Sequence, residues 1–388
     1  MKITAARIYL VKSGRFHPVL LELLTDDGPA GIGEAAIAYG LGGTAAAGML
    51  KDFCDALVLG RDPFRIEELW SDMYDHSFWA KGGGPIVFAA VSAIEQALHD
   101  IKGKALGVPA YELLGGAFRS DVRVYANGWC SGKATPEAFA RAGMRPVGEG
   151  YDALKCYPLG VRSPSGSMRH VSRRMVDRDA ADLAFEKVAA LRQAVGPKVE
   201  IMLDMSGGLT TDESIRLCRR WEELDILFVE EPVDPFDAAA LRRVSDAVRM
   251  PVAAGERLYT RHGFRRVFEQ QAVGIVQPDV GNTGGLMEAK KIAAMAEAYT
   301  MRVAPHNCGS SLLTAASLQL AASIPNFMIQ EIYPYFPEDP GYVQVLENPP
   351  ERTVRDGRMA IPDGPGLGAR LDHKAVAPFL WAECRPAG

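Results

Sequence analysis

The sequence predicts an α/β protein: a (β/α)8-type (TIM) barrel preceded by a small α+β domain. Three observations predict it. From residue 121 onward, eight short runs rich in β-branched and apolar residues alternate with helical stretches. Such alternation implies parallel strands joined by crossover helices, and eight units close a barrel. A carboxylate or histidine ends six of those runs, each 23 to 27 residues after the last. Before residue 120 the rhythm is different, with strand-like alternation followed by long helical patterns.

The bulk properties fit this. At 388 residues the chain is long enough for a barrel and a smaller domain. It is 48% hydrophobic and 23% charged, as soluble globular proteins are. A net charge of −5 gives no general attraction to nucleic acid or anionic membranes. No apolar run approaches the ~20 residues that span a bilayer, and the N-terminus has no signal-peptide core. The six cysteines form no C-x-x-C pair. Reduced thiols and a cytoplasmic location are expected.

In chain order, Lys2 to Tyr9 and Pro18 to Leu24 read as two arms of a hairpin, and Ala30 to Ala35 as a third strand after the turn Thr25-Asp26-Asp27-Gly28. Residues 43 to 114 read as helical, with Phe88 to Leu98 a buried stretch, and Gly115-Gly116 ends the block. Residues 1–120 are therefore expected to form the α+β domain and 121–335 the barrel. The barrel strands are Val122–Asn127, Ala153–Tyr157, Val199–Asp204, Ile226–Glu231, Pro251–Glu256, Gly274–Asp279, Arg302–His306 and Met328–Ile332. The Pro- and Gly-rich segment 336–388 is expected to return to the first domain.

Asp204, Glu230, Glu256, Asp279, His306 and Glu331 fall at the C-terminal ends of successive strands, the rim where barrels of this kind build active sites. Any one of them alone could merely cap the next helix. Asp204, Glu230 and Glu256 form a hard all-oxygen set suited to Mg²⁺. In Glu230-Glu231-Pro232 only one glutamate can point inward, so Glu230 is the expected ligand and Glu231 its support. Asp279 and His306, one strand apart, can form a pair in which the carboxylate orients the imidazole as a general base. Lys155 ends the second strand and can pair with a substrate carboxylate, with the metal ligands, or with solvent. Glu331, if protonated, can donate a hydrogen bond to an enolate oxygen. These parts suit removal of a proton α to a carboxylate.

The motifs Leu203-Asp204, Val229-Glu230-Glu231-Pro232, Ala253-Ala254-Gly255-Glu256-Arg257, Gln277-Pro278-Asp279 followed by Gly284-Gly285, and Ala304-Pro305-His306 resemble the enolase superfamily, specifically its mandelate racemase subgroup. Within it, Val229 to His306 is similar to the sugar-acid dehydratases such as D-galactonate dehydratase. The resemblance spans almost the whole chain. It implies a modified (β/α)8-type barrel with an N-terminal α+β capping domain completed by the C-terminal segment. It also implies one Mg²⁺ per subunit on Asp204, Glu230 and Glu256, a base dyad of Asp279 and His306, assistance from Glu331, and a homo-oligomer of two to eight subunits.

Two positions depart from the family pattern. Tyr157 stands where many members carry a second lysine after Lys155, which favours one-base chemistry over racemisation. Ser206 stands where galactonate dehydratase-like members carry a histidine that helps the hydroxyl leave. The acid is left open among His306, Tyr157 and Lys81. Specificity is expected from cap loops, either Asp75 to Gly84 with Trp79 and Lys81, or the turn Arg15-Phe16-His17. The arginine-rich connection from Arg162 to Arg178 reads as a solvated face. The expected reaction is dehydration of a sugar acid, an aldonate or aldarate, to a 2-keto-3-deoxy acid. The alternatives are a cycloisomerase or epimerase sharing the enolate step, and a catalytically idle binding protein.

Overall fold

A computed structural model of the chain describes residues 1–12, 16–162, 168–170, 174–339 and 341–386. The N-terminal domain opens on three antiparallel strands, β1 (Ile3–Leu10), β2 (Val19–Thr25) and β3 (Gly31–Ala35). β3 is buried along its whole length beneath the helix Gly84–Leu106. Gly31 and Gly33 permit this contact. A Cβ on either would sit about 2 Å from the backbone oxygen of Ala97 or Ala93 in that helix. The helix starts with Pro85 in its first turn and stops at Gly107, which takes the left-handed conformation a side chain resists.

The barrel follows. Its strands are β4 (Asp121–Ala126) and β5 (Ala153–Cys156). After an antiparallel hairpin, β6 (Gly160–Arg162) and β7 (Met168–His170), come β8 (Glu200–Asp204), β9 (Ile226–Glu230), β10 (Val252–Ala254), β11 (Ile275–Val276), β12 (Arg302–Val303) and β13 (Gln330–Ile332). Excluding the hairpin, these pair in parallel in chain order, and β13 lies beside β4. The ring closes where Val303 bridges Phe327 and accepts a 2.8 Å hydrogen bond from the Met328 amide. Tyr125, Ala153, Met202, Phe228, Ala253, Ile275, Ala304 and Ile329, one from each strand or its immediate flank, fill the interior. The interior is thus a packed core rather than a pore. The tail adds β14 (Arg358–Ala360), antiparallel to β4, and β15 (Leu380–Cys384), antiparallel to β1.

Strands β10, β11 and β12 are shorter than the sequence pattern predicts. Gly255 turns the chain at a φ of 150°, and Pro278 and Pro305 have no N–H to offer a ladder. Glu256, Asp279 and His306 therefore stand just beyond their strands, in the first residues of the loops over the barrel mouth.

Candidate active site

Parallel strands bring their C-terminal ends to one rim, so register decides which side chains meet. Asp204 and Glu230 are direct partners across β8 and β9. Lys155, one strand before Asp204, is only 1% exposed. Its ammonium lies 2.7 Å from Glu230 Oε2, 2.7 Å from Glu331 Oε1 and 3.9 Å from Asp204 Oδ2.

One ammonium serves two buried carboxylates, and their proton affinities diverge. Burial pushes Glu230 up to about 8; Lys155 opposes this, while Asp204, Glu331 and Glu256 add to it. Burial acts the same way on Glu331, but Lys155 and then His306 outweigh it, and the net shift is downward. Glu331 also accepts from the Asn307 amide at 3.0 Å. Ionised Glu331 is therefore an acceptor. The ammonium beside it favours the charged form over the protonated donor considered from sequence.

Among the described residues, no three carboxylate, histidine or cysteine groups already converge as a finished metal centre. Each acidic group is turned toward a cationic side chain: Glu230 to Lys155, and Glu256 to Arg257 Nη2 at 2.8 Å and His306 Nε2 at 3.0 Å. The donor set nevertheless fits a hard divalent cation. Among the described residues Glu230 Oε1 is buried without a hydrogen-bond partner, and burial raises the proton affinity of its carboxyl. Asp204 and Glu256 stand on the neighbouring strand and loop. Three carboxylates on consecutive units of one rim are the hard oxygen donors such a cation takes.

His306 Nδ1 lies 2.7 Å from Asp279 Oδ2, and Asp279 Oδ1 accepts from the Gly281 amide at 2.7 Å. This fixes the ring with Nε2 toward the mouth. Burial pushes the imidazole pKa down, but Glu256 and Asp279 more than reverse this, leaving it well above its usual value.

A second tier sits above the Lys155–Glu331 pair. Tyr157 and Tyr333 each lie two residues beyond a member of that pair, so they share its inward face. Their hydroxyls are 3.1 Å apart. Asn127, at the end of the strand between them, places its amide nitrogen 2.8 Å from Tyr157 Oη, 2.9 Å from Tyr333 Oη and 2.7 Å from Glu331 Oε1. Sequence reasoning missed Asn127 and Tyr333. The signal was available, because Asn127 also ends a barrel strand.

The cap grips the two loops that carry the dyad. Buried Glu34, on β3, accepts from the Ser310 amide at 2.9 Å, the Leu313 amide at 3.2 Å and the Ser310 hydroxyl. It thereby caps the helix Ser311–Ser323 that follows the His306 loop. Gln96 donates to Val280 O at 3.0 Å, and the Ala36 amide donates to Gly281 O at 2.9 Å, holding the Asp279 loop.

Burial raises the Glu34 pKa to about 7 despite those three donors. A carboxyl raised in the folded state contributes stability that is full below its unfolded value and lost as pH rises through the folded one. Glu34 is therefore expected to remove about 3 kcal/mol between pH 4.5 and 8. Urea denaturation of Glu34→Gln should show a correspondingly flatter pH dependence. A slope equal to that of the wild type would refute this.

A cavity of about 960 Å³ opens over the rim. Asp204, Ser206, Glu256, His306, Tyr157 and Tyr333 are in its wall. The Ser206 hydroxyl sits 3.0 Å from Asp204 Oδ1. Glu230, Glu331 and Lys155 are buried beneath the wall, where Lys155 pairs with the two carboxylates.

The expected cap residues are not in that wall. Lys81 is tied to Asp75 at 2.7 Å, Trp79 packs edge-on against Phe78 with both rings exposed, and His17 does not line the cavity. Phe16, Ala36 and Tyr39 form the cap's share of the wall instead. Arg15 lies outside the described residues, as does Arg173.

Comparisons with known proteins agree with this architecture. Residues 139–375 match the family model described as enolase C-terminal domain-like. Residues 10–115 match the N-terminal domain model of mandelate racemase / muconate lactonizing enzyme. The chain is 36% identical over 364 residues to a D-xylonate dehydratase of Haloferax volcanii, covering 94% of this chain and 85% of that one. It is 36% identical over 386 residues to a D-galactonate dehydratase of Ralstonia pickettii, covering 97% and 94%. The crystal structure of a candidate dehydratase from Mesorhizobium loti superposes with a TM-score of 0.96 at 61% identity, covering 99% of this chain and 100% of that one.

Proposed function

The chain belongs to the mandelate racemase / muconate lactonizing enzyme family of the enolase superfamily, and from that premise we propose that it is a magnesium-dependent hydro-lyase. Its proposed reaction is dehydration of a sugar acid to a 2-keto-3-deoxy acid. Membership of this superfamily implies a divalent metal. The observation that carries the reading is the Asp279–His306 pair at the same rim as Asp204, Glu230 and Glu256, with His306, Asp204 and Glu256 in the wall of one cavity. Relatives named D-xylonate and D-galactonate dehydratase support dehydration over cycloisomerisation or epimerisation.

Asp204, Glu230 and Glu256 would hold the metal. When bound, a divalent cation lowers the energy of a substrate carboxylate as it takes on a second negative charge. The rest of the work falls to side chains. Asp279 holds Nδ1 of His306, so that Nε2 faces the α-carbon as the base. In the present arrangement Nε2 is engaged by Glu256. Were Glu256 to turn toward Asp204 and Glu230 as a ligand, that nitrogen would be bared and a charge that raised its pKa withdrawn. Lys155 keeps Glu331 ionised under the substrate, where it can support His306 after the proton arrives.

The test is a library of aldonates and aldarates incubated with Mg²⁺ and scored with semicarbazide for keto acids. A keto acid from at least one member, abolished by EDTA and restored by Mg²⁺, is expected; none from the whole library would reject the reading. Glu256→Gln should weaken Mg²⁺ binding at least about tenfold in calorimetry, since an amide offers a weaker ligand oxygen than a carboxylate. An unchanged dissociation constant would remove Glu256 from the ligand set.

A further inference from the structure

We propose that Tyr157, backed by Tyr333, is the acid that protonates the hydroxyl leaving C3, so that His306 acts as base alone. This rests on the dehydratase reading. The geometry is the two-tier arrangement on β5, β4 and β13. The lower tier is the ion pair of Lys155 and Glu331 at 2.7 Å, and the upper tier is the pair of phenols at 3.1 Å. The Asn127 amide nitrogen stands between the tiers, within hydrogen-bonding distance of Glu331 and of both phenols. The Asn127 amide has two hydrogens for these three acceptors, and the 3.1 Å contact uses one phenolic proton; with Tyr333 as its donor, the Tyr157 proton lies outside the pair. Both rings are in the wall of the cavity that also holds His306.

Position around the ring separates the two roles. His306 follows β12, and Tyr157 follows β5, three strands away through β13 and β4. A base and an acid on well-separated strands reach different sides of a substrate lying between them. Tyr333, on the strand next to His306 and in line behind Tyr157, relays a proton. Burial raises both phenols well above their ordinary pKa, which keeps them protonated at neutral pH. Departing hydroxide is a far stronger base than either phenolate and takes the proton.

The step balances as follows. The C2–H bond breaks, its proton goes to His306 Nε2, and its electrons become the enediolate. As the enediolate collapses, the C2–C3 double bond forms and the C3–O bond breaks. The departing oxygen takes the Tyr157 proton and leaves as water. Tyr157 is reprotonated by Tyr333, which takes a proton from solvent in the cavity, and His306 returns its proton to solvent. The enol ketonises by gaining a proton at C3 and losing one from its hydroxyl.

The experiment uses the sugar acid that the wild-type enzyme converts to a keto acid, chosen from D-xylonate, D-galactonate, D-gluconate and the corresponding aldarates, in D₂O. Tyr157→Phe should form keto acid about 100-fold more slowly. Its recovered substrate should still acquire deuterium at C2, because the intermediate can only return. Tyr333→Phe should lose about tenfold with the same pattern. The 3-deoxy-3-fluoro analogue needs no acid, since fluoride leaves unprotonated, so both variants should consume it within a few-fold of wild type. Elimination at the wild-type rate in both variants would overturn the proposal in favour of His306 as acid and base. Parallel loss of exchange, elimination and fluoride release would also overturn it, by making the tyrosines structural. If the wild type makes keto acid from none of the panel, the dehydratase reading itself fails and this proposal with it.

Discussion

Replacing His306 with asparagine should lower keto-acid formation by about 10³-fold or more and leave Mg²⁺ binding intact. Asparagine keeps a donor near Asp279 but has no basic nitrogen where Nε2 stands. General base catalysis typically contributes ~10² to 10⁴, and no other histidine lines the cavity among the described residues. The variant should also stop exchanging the C2 proton in D₂O, unlike the tyrosine variants, because it is blocked before the intermediate. Calorimetry should return a Mg²⁺ dissociation constant within a few-fold of wild type, or somewhat tighter, since Glu256 no longer shares a hydrogen bond with the imidazole. Full activity in this variant would reject His306 as the base. Lost cation binding would mean that the imidazole holds the carboxylates in place.

Replacing Lys155 with methionine should cost about 3 to 5 kcal/mol of unfolding free energy in the presence of EDTA. Methionine fills much the same space, so the effect isolates the charge. Lys155 is fully enclosed, and its ammonium is the cation shared by Glu230 and Glu331, both 0% exposed. Without it, two buried carboxylates must either carry uncompensated charge or take up protons. Urea denaturation followed by circular dichroism gives the number. Adding Glu331→Gln to Lys155→Met should recover part of the loss, because one of the two unpaired charges is then gone. A single-variant loss under about 1 kcal/mol, or no recovery in the double variant, would show that the carboxylates are not held by this ammonium.

Both predictions concern groups that the sequence marks, yet only for the first does it reveal the partner. Asp279 and His306 end neighbouring strands, and strands adjacent in a barrel are adjacent in the chain, so their meeting follows from order alone. Lys155 and Glu331 end the second and eighth strands, 176 residues apart along the chain. Their contact spans the strand that carries Asn127, and it depends on the barrel closing.

Cap residues are harder to read, because they approach the rim from a separate domain. Trp79 and Lys81 have the composition of a substrate loop, but Asp75 lies close enough to hold the lysine at 2.7 Å. Glu34, whose side chain reads as an ordinary strand carboxylate, turns out to cap a barrel helix.

What the sequence alone determined was the count and order of the barrel strands and the rim to which the acidic groups and His306 belong. A pleat with period two and parallel pairing leave one direction for the last inward residue of each strand. What only the tertiary structure decided was who pairs with whom there: Lys155 between two carboxylates, Asn127 beneath two phenols, and the cap strand clasping the dyad loops. These depend on closing the ring and on competition between several acceptors for one buried cation, and neither leaves a trace in local sequence.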